Sequence, residues 1–279
     1  MEINEKKRLS EYGFSFKKAY GQNFLTDENL LTRIVEKAGV DKNVSVLEIG
    51  CGAGALTKIL CKKAKFVLGY EIDTRLKPVL KDALSSFDNY EIVYKDVLKE
   101  DMKKIEKELG GDYILVANLP YYITTDIVMA FLENATMVTG MVIMVQEEVA
   151  MRFSAKPSSS DYGAITVAIN LRGEAEIIER VPREKFTPSP NVDSAVVKIT
   201  VDKNKNADVD KTAVRNVVRT GFNNRRKMFI NNLMKDYKLD RNMAENVLIK
   251  AGVPLTARGE TFSAEQYITL SEILKDYEK

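Results

Sequence analysis

A strand-like run, VSVLEIG, carries Glu48 and enters Gly50, Cys51, Gly52, Ala53 and Gly54 before a helical pattern begins. Residues this small let the backbone approach a bound molecule closely at a helix N-terminus. A dinucleotide-binding fingerprint, G-x-G-x-x-G, would place its third glycine at 55, but Ala55 stands there and Gly54 comes one residue early. Glu71 and Asp73 close the next strand-like run about 20 residues on, where a carboxylate can accept both hydroxyls of a ribose. A strand-end Asp also caps the helix that follows it, and Asp73 suits either use. Asp96, in YKDV, ends a third run, and its side chain can accept a hydrogen bond from the exocyclic amine of an adenine. Together, Gly50, Gly52, Glu71 and Asp96 describe a site for one adenosine.

Such a site needs parallel strand ends to hold it. Residues 44–73 form one strand–helix–strand unit, preceded by DENLLTRIVEKAGV, a helix with Asp27 as its cap and Gly39 at its exit. The alternation continues through RLKPVLKDALSSF with Pro78 in the first turn, YEIVYKDV, KKIEKELG, YILVANLP, TTDIVMAFLENA and GMVIMVQEEVAMRF. The spacing predicts an α/β doubly wound sheet. AITVAINLRGEAEIIERV and SAVVKITV have strand composition and are expected as late strands, the last forming an antiparallel hairpin at the sheet edge. SAKPSSSDYG reads as a mobile loop. The polar run VDKNKNADVD reads as a linker, and four helical patterns without strand signal follow it. The expected organisation is a domain over 1–203 with a basic N-terminal arm and a small helical domain over 204–279.

Within VANLPYYITT, Asn118, Leu119, Pro120 and Tyr121 match the N-[LI]-P-[YF] form of a motif found in methyltransferases that act on the amino group of adenine. With VLEIGCGAG, YEID and KDV upstream in order, GQNFL at 21–25 and FTPSPNVDSAVV at 186–197, the chain resembles the rRNA small-subunit adenine N6,N6-dimethyltransferase family from about residue 16 to about residue 200. The resemblance implies a Rossmann-like class I methyltransferase sheet, mostly parallel with an antiparallel edge strand, and S-adenosyl-L-methionine as cofactor. Adenine N6 is a poor nucleophile because its lone pair is delocalised into the ring. The side-chain oxygen of Asn118 and the carbonyl of Leu119 would accept its two hydrogens, Pro120 would fix the turn, and Tyr121 would stack on the base. By the same resemblance, Phe186 closes the other face of the flipped adenine, while Asn23 and Leu25 lie on the methionine part of the cofactor with Asn118 beside them. Tyr122 is read as support for its neighbour. Cys51 departs from the family, which often has proline there, and is read as a small filler.

The family's close relatives modify either two adjacent adenines near the 3′ end of 16S rRNA or, in macrolide resistance, an adenine of 23S rRNA. GFNNRRKMFINNL at 221–233 and RGETFSAEQYITLSEIL at 258–274 look like the small-subunit group's segments, so the expected partner is 16S rRNA within the immature small ribosomal subunit, with the 23S enzyme as the alternative. Arg225, Arg226 and Lys227 would contact RNA backbone. A net charge of +2 says little by itself, but Lys203–Lys227 holds eight Lys or Arg against two Asp, and Lys6, Lys7, Arg8, Lys17 and Lys18 crowd the N-terminal arm. A solvated face explains either run equally well. With no histidine in 279 residues, mechanisms that need a His base or a His-ligated metal are excluded, and no metal is expected. Cys51 and Cys61 fit neither a disulfide framework nor a metal cluster. No run reaches the roughly 20 apolar residues needed to cross a bilayer, and no signal peptide is evident, so a cytoplasmic monomer is expected. Three other readings remain: an NAD-dependent oxidoreductase, for which NLPYY has no role; a ribosome-assembly factor that acts mainly by occupying an immature subunit, with methylation as its release step; and an enzyme acting on adenine in DNA.

Overall fold

A computed structural model of the chain describes Phe24, Leu25 and residues 27–277. The basic arm and Asn23 therefore lie outside the described residues. Two compact units form: one from residues up to Ala150 with Ala175–Lys203, the other from Met151–Glu174 with Asn204 onward.

The first unit carries a seven-stranded sheet in the order β4-β3-β2-β5-β6-β9-β7. Its strands are β2 (Ser45–Ile49), β3 (Phe66–Tyr70), β4 (Tyr90–Val93), β5 (Tyr113–Asn118), β6 (Val138–Gln146), β7 (Gly173–Val181) and β9 (Ser194–Val201). β2 to β6 run parallel, because each crossover carries a helix that covers a face of the sheet. These helices are α2 (Ala55–Lys63), α3 (Lys77–Ala83), α4 (Met102–Leu109) and α5 (Thr124–Asn134), with α1 (Glu28–Ala38) ahead of β2 and α6 (Glu147–Phe153) directly after β6. β9 pairs antiparallel with β6, but it lies inside the sheet; the edge is β7, so the expectation of SAVVKITV at the edge is corrected. Helix α1 starts where the Asp27 carboxylate accepts the Leu30 N–H and ends at left-handed Gly39, and Pro78 occupies the first turn of α3.

Outside the sheet, β1 (Phe24–Leu25) pairs antiparallel with β8 (Phe186–Thr187), Leu25 opposite Phe186. This short ribbon joins residues far apart in sequence, and its side chains enter the same apolar cluster as α1, α2 and β2.

In the second unit, α7 (Ala164–Arg172) occupies the AITVAINLR segment expected as a strand. Its β-branched composition misled; Ile165, Ile169 and Arg172 are buried at helical spacing, and tertiary packing overrides a weak local preference. The Thr166 hydroxyl helps start the helix by accepting the Gly163 N–H at 3.2 Å while donating to the Arg152 carbonyl at 2.6 Å. The segment before it is not loose either. Tyr162 is fully buried and donates to the Phe262 carbonyl at 2.8 Å, and the Ser158 N–H reaches the Glu260 carbonyl. Helices α8 (Lys211–Asn223), α9 (Phe229–Tyr237), α10 (Arg241–Lys250) and α11 (Ala264–Leu274) complete this unit around Phe229, Phe262 and Tyr267. Among the described residues, no helix is long and apolar enough to cross a membrane.

In the second unit the backbones of Gly221 and Gly259 approach closely, and the Gly259 carbonyl accepts the Tyr267 hydroxyl at 2.9 Å. A Cβ at 259 would stand 2.5 Å from the Gly221 Cα and 2.7 Å from its carbonyl carbon, neither of which belongs to a flexible side chain. Gly259→Ala is expected to destabilise this unit by about 1–3 kcal/mol through overpacking, read as a lower unfolding midpoint in urea.

Candidate active site

The parallel strands end in one row, and a cavity of about 260 Å³ opens there. Its wall includes the glycine loop, Glu71, Asp96, the turn from Asn118 to Ile123, and Phe24, Leu25 and Phe186 from the β1–β8 ribbon. Gly50, Gly52, Glu71, Asp96, Asn118, Leu119, Pro120, Tyr121, Leu25 and Phe186, all expected at one site, thus come together.

The loop takes its shape from its bonds to β3. The Gly50 N–H reaches the Tyr70 carbonyl at 2.8 Å, and the Gly52 N–H reaches Glu71 Oε2 at 2.9 Å. Gly52 has φ 56°, and a Cβ there would stand 2.9 Å from Phe24 Cε1, so only glycine suits both the backbone and the space. The other oxygen of Glu71 accepts the Asp73 N–H at 2.8 Å. Each carboxylate oxygen can still accept a second hydrogen bond, as a ribose hydroxyl would require. Burial pushes the Glu71 carboxyl up, and the N–H groups of Asp73 and Gly52 pull it back.

Asp73 does not share the site. Its carboxylate caps the following turn by accepting the Arg75 N–H and holds the Arg75 guanidinium at 2.8 Å, so the capping alternative applies. Asp96 is half-buried on the cavity wall, and its Oδ1 accepts the Leu98 N–H at 3.1 Å. Ile72 and Leu98, 52% and 41% exposed, line the same wall beside the two carboxylates. Sequence reasoning missed both; the available signal was an apolar residue just past each strand-end carboxylate.

At the far side, Asn118 ends β5 and Leu119 is buried. Pro120 opens a single turn over Tyr121–Ile123, its carbonyl accepting the Ile123 N–H at 3.2 Å. The Tyr121 hydroxyl and Ser194 Oγ lie 2.9 Å apart, which pins the ring to the start of β9. Phe186 is buried to 4% exposure, packed in the apolar cluster while part of it faces the cavity. Tyr122, read from sequence as support for its neighbour, is instead 65% exposed at the cavity.

One expectation changes in the second unit. Arg225 is taken up internally, its Nε 3.0 Å from Glu260 Oε2 and its Nη2 on the Ser160 carbonyl, with the guanidinium over the Phe222 ring. Arg226 and Lys227 are exposed.

Glu48 lies beneath the loop, fully buried on β2. Neither of its oxygens has a hydrogen bond of ordinary geometry, although the Thr57 hydroxyl and the Cys51 thiol lie close enough to draw its pKa back somewhat. Burial dominates and pushes the Glu48 carboxyl up to about 8, so it is neutral at pH 7. Among the described residues, no cluster of three or more potential metal ligands exists.

The chain matches the family model described as ribosomal RNA adenine dimethylase over residues 13–276. It is 44% identical to a ribosomal RNA small subunit methyltransferase A of Bacillus licheniformis, over 98% of this chain and 96% of that one. It is 45% identical to a protein of the same name from Geobacillus kaustophilus, over 96% and 94%. Among solved structures, a dimethyladenosine transferase from Plasmodium falciparum superposes with TM-score 0.78 at 23% identity, covering 91% of this chain and 98% of the other. The 23S rRNA methyltransferase ErmE superposes with TM-score 0.69 at 30% identity, covering 91% and 100%.

The neutral Glu48 has a pH signature. Unfolded, it titrates near 4.5; folded, near 8, so between these values the native state binds the extra proton and stability falls as pH rises through the window. The melting temperature of Glu48→Gln relative to wild type should therefore rise steadily from pH 5 to pH 8 and level off above. A difference that does not change with pH would mean that Glu48 is ionised in the folded protein.

Proposed function

The chain belongs to the ribosomal RNA adenine dimethylase family, and from that premise we propose that it transfers methyl groups from S-adenosyl-L-methionine to N6 of two adjacent adenines near the 3′ end of 16S rRNA. The observation that carries the reading is the Asn118–Tyr121 turn facing the same cavity as Glu71 and Asp96. The small-subunit target is supported by relatives at 44–45% identity over nearly the whole chain that carry that name, against 30% for the 23S enzyme. The partner is the immature small subunit, met by a monomeric, cytoplasmic enzyme with a role in subunit biogenesis.

The residues fit the cofactor. Glu71 has acceptor capacity left for ribose hydroxyls, Asp96 suits an adenine amine, and the exposed side chains of Ile72 and Leu98 offer apolar faces to a flat ring. When bound, the cofactor supplies an electrophilic methyl group on a cationic sulfur.

The protein's own task is to present N6. The Asn118 side-chain oxygen and the Leu119 carbonyl accept the two amino hydrogens, which loosens the lone pair from the ring and aims it. Pro120, with φ −56°, opens the turn that directly follows these acceptors. Tyr121, fixed through Ser194, stacks on the base, with Phe186 on the opposite side. No histidine is required, because an N-alkylated aryl ammonium is acidic enough to yield its proton to solvent. Leu25 borders the methionine end of the cofactor, with Asn118 as a further contact. Arg226 and Lys227 contact RNA phosphates, whereas Arg225 secures the segment that presents them.

Incubating the protein with unmethylated small-subunit particles and labelled cofactor should yield N6,N6-dimethyladenosine in 16S rRNA by mass spectrometry. Label confined to 23S rRNA would favour the resistance-type enzyme. Asn118→Ala should lower the methylation rate by about 10²–10³-fold, the usual effect of removing one group that acts in the transition state. For Arg226→Ala and Lys227→Ala, RNA affinity should fall modestly and its salt dependence flatten by about one unit of slope per lost contact. An unchanged slope would remove that residue from the RNA interface.

A further inference from the structure

Tyr122 is not used by anything described so far. Its ring is 65% exposed on the wall of the cavity, and its hydroxyl has no hydrogen-bond partner among the described residues. Its backbone, however, is held firmly. On one side, the Tyr121 hydroxyl is tied to Ser194; on the other, the Ile123 N–H and the Thr124 hydroxyl both reach the Pro120 carbonyl. A large aromatic side chain on a rigid turn, left in solvent at the mouth of a site, is a preformed stacking face with little conformational entropy to lose.

We propose that Tyr122 is the platform for the nucleotide adjoining the target adenine. The inference rests on the RNA-adenine reading of the site. An adenine seated against Asn118 remains covalently joined to its neighbours, so the next nucleotide must leave the cavity by the mouth. Once pulled out of its own stack, that base needs an aromatic face, and stacking accepts any base. The cofactor is a poor rival for the ring: the carboxylates that suit its adenosine, Glu71 and Asp96, follow β3 and β4, whereas Tyr122 follows β5. Tyr122 is therefore an RNA-positioning residue that sets affinity for the extended strand and takes no part in methyl transfer.

The test is steady-state methylation of unmethylated small-subunit particles, with calorimetric titration of S-adenosyl-L-methionine alongside. Tyr122→Ala and Tyr122→Leu should raise KM for particles by about tenfold or more with kcat within about threefold, as expected from losing one base stack. Tyr122→Phe, which keeps the ring, should restore the low KM. Cofactor affinity should be the same in all four proteins. Because the sequence contains no tryptophan, Tyr122→Trp adds a single indole reporter, whose emission should be quenched when RNA binds. A wild-type KM in Tyr122→Ala, a loss of cofactor affinity matching the rise in KM, or an emission that RNA leaves unmoved would each overturn the proposal. Wild-type protein that fails to methylate the particles would instead overturn the reading of the site itself, and the platform with it.

Discussion

The carboxylate of Glu71 lies between two backbone N–H groups, that of Gly52 in the loop and that of Asp73 beyond its own strand. Both bonds are charge-assisted and largely withdrawn from water, so they hold more firmly than a surface pair. Strand register carries that fixed point across the sheet. Ile49 is level with Tyr70 on one side and with Ala117 on the other, so Gly50, Glu71 and Asn118, each the next residue along, emerge side by side. Tyr70 is level with Val93, which brings Asp96 to the same edge three residues later. The site is thus a consequence of parallel strands ending together, with the glycine loop clamped at the height the row requires.

A second constraint closes the row from outside. Phe24 stands against Gly52, and Phe186 is held opposite Leu25 by the β1–β8 pairing. Loop and ribbon each limit where the other can sit, which is how two residues of strand bring Leu25 and Phe186 to a cavity whose other walls come from strand ends.

What could be read from the sequence follows from how local its cause is. Helix α1, the glycine loop and the parallel alternation are set by caps, glycines and hydrophobic period, all within a few residues of one another. AITVAINLR could not be read this way, since its helix depends on burial against residues 40 or more positions away. Arg225 likewise reads as a surface charge until Glu260 and the Ser160 carbonyl come within reach. Asp73 was open to two uses because an Asp at a strand end satisfies both; Arg75, two residues on, decides for the cap. Tyr122 is illegible in the sequence for the opposite reason: nothing in a run of two tyrosines says which is pinned inside and which faces solvent.

The charges of the site have a common logic. Methyl transfer from a sulfonium to a neutral amine creates no new charge; it spreads one charge over sulfur, carbon and nitrogen. A carboxylate against the sulfur would stabilise the localised ground-state charge more than the dispersed one, and would slow the reaction. The two acidic residues that line this cavity, and the one buried beneath its loop, fit that requirement. Glu71 is saturated in part by backbone N–H groups, Asp96 is drawn toward the Leu98 N–H, and Glu48, under the loop, is buried without an ordinary hydrogen bond and so neutral. On the proposed reading, the groups offered at the transfer end, the Asn118 amide and the Leu119 carbonyl, are dipoles. On that reading a chain without histidine lacks nothing this chemistry needs: direction would come from two fixed acceptors, in a field weak enough for the charge to spread.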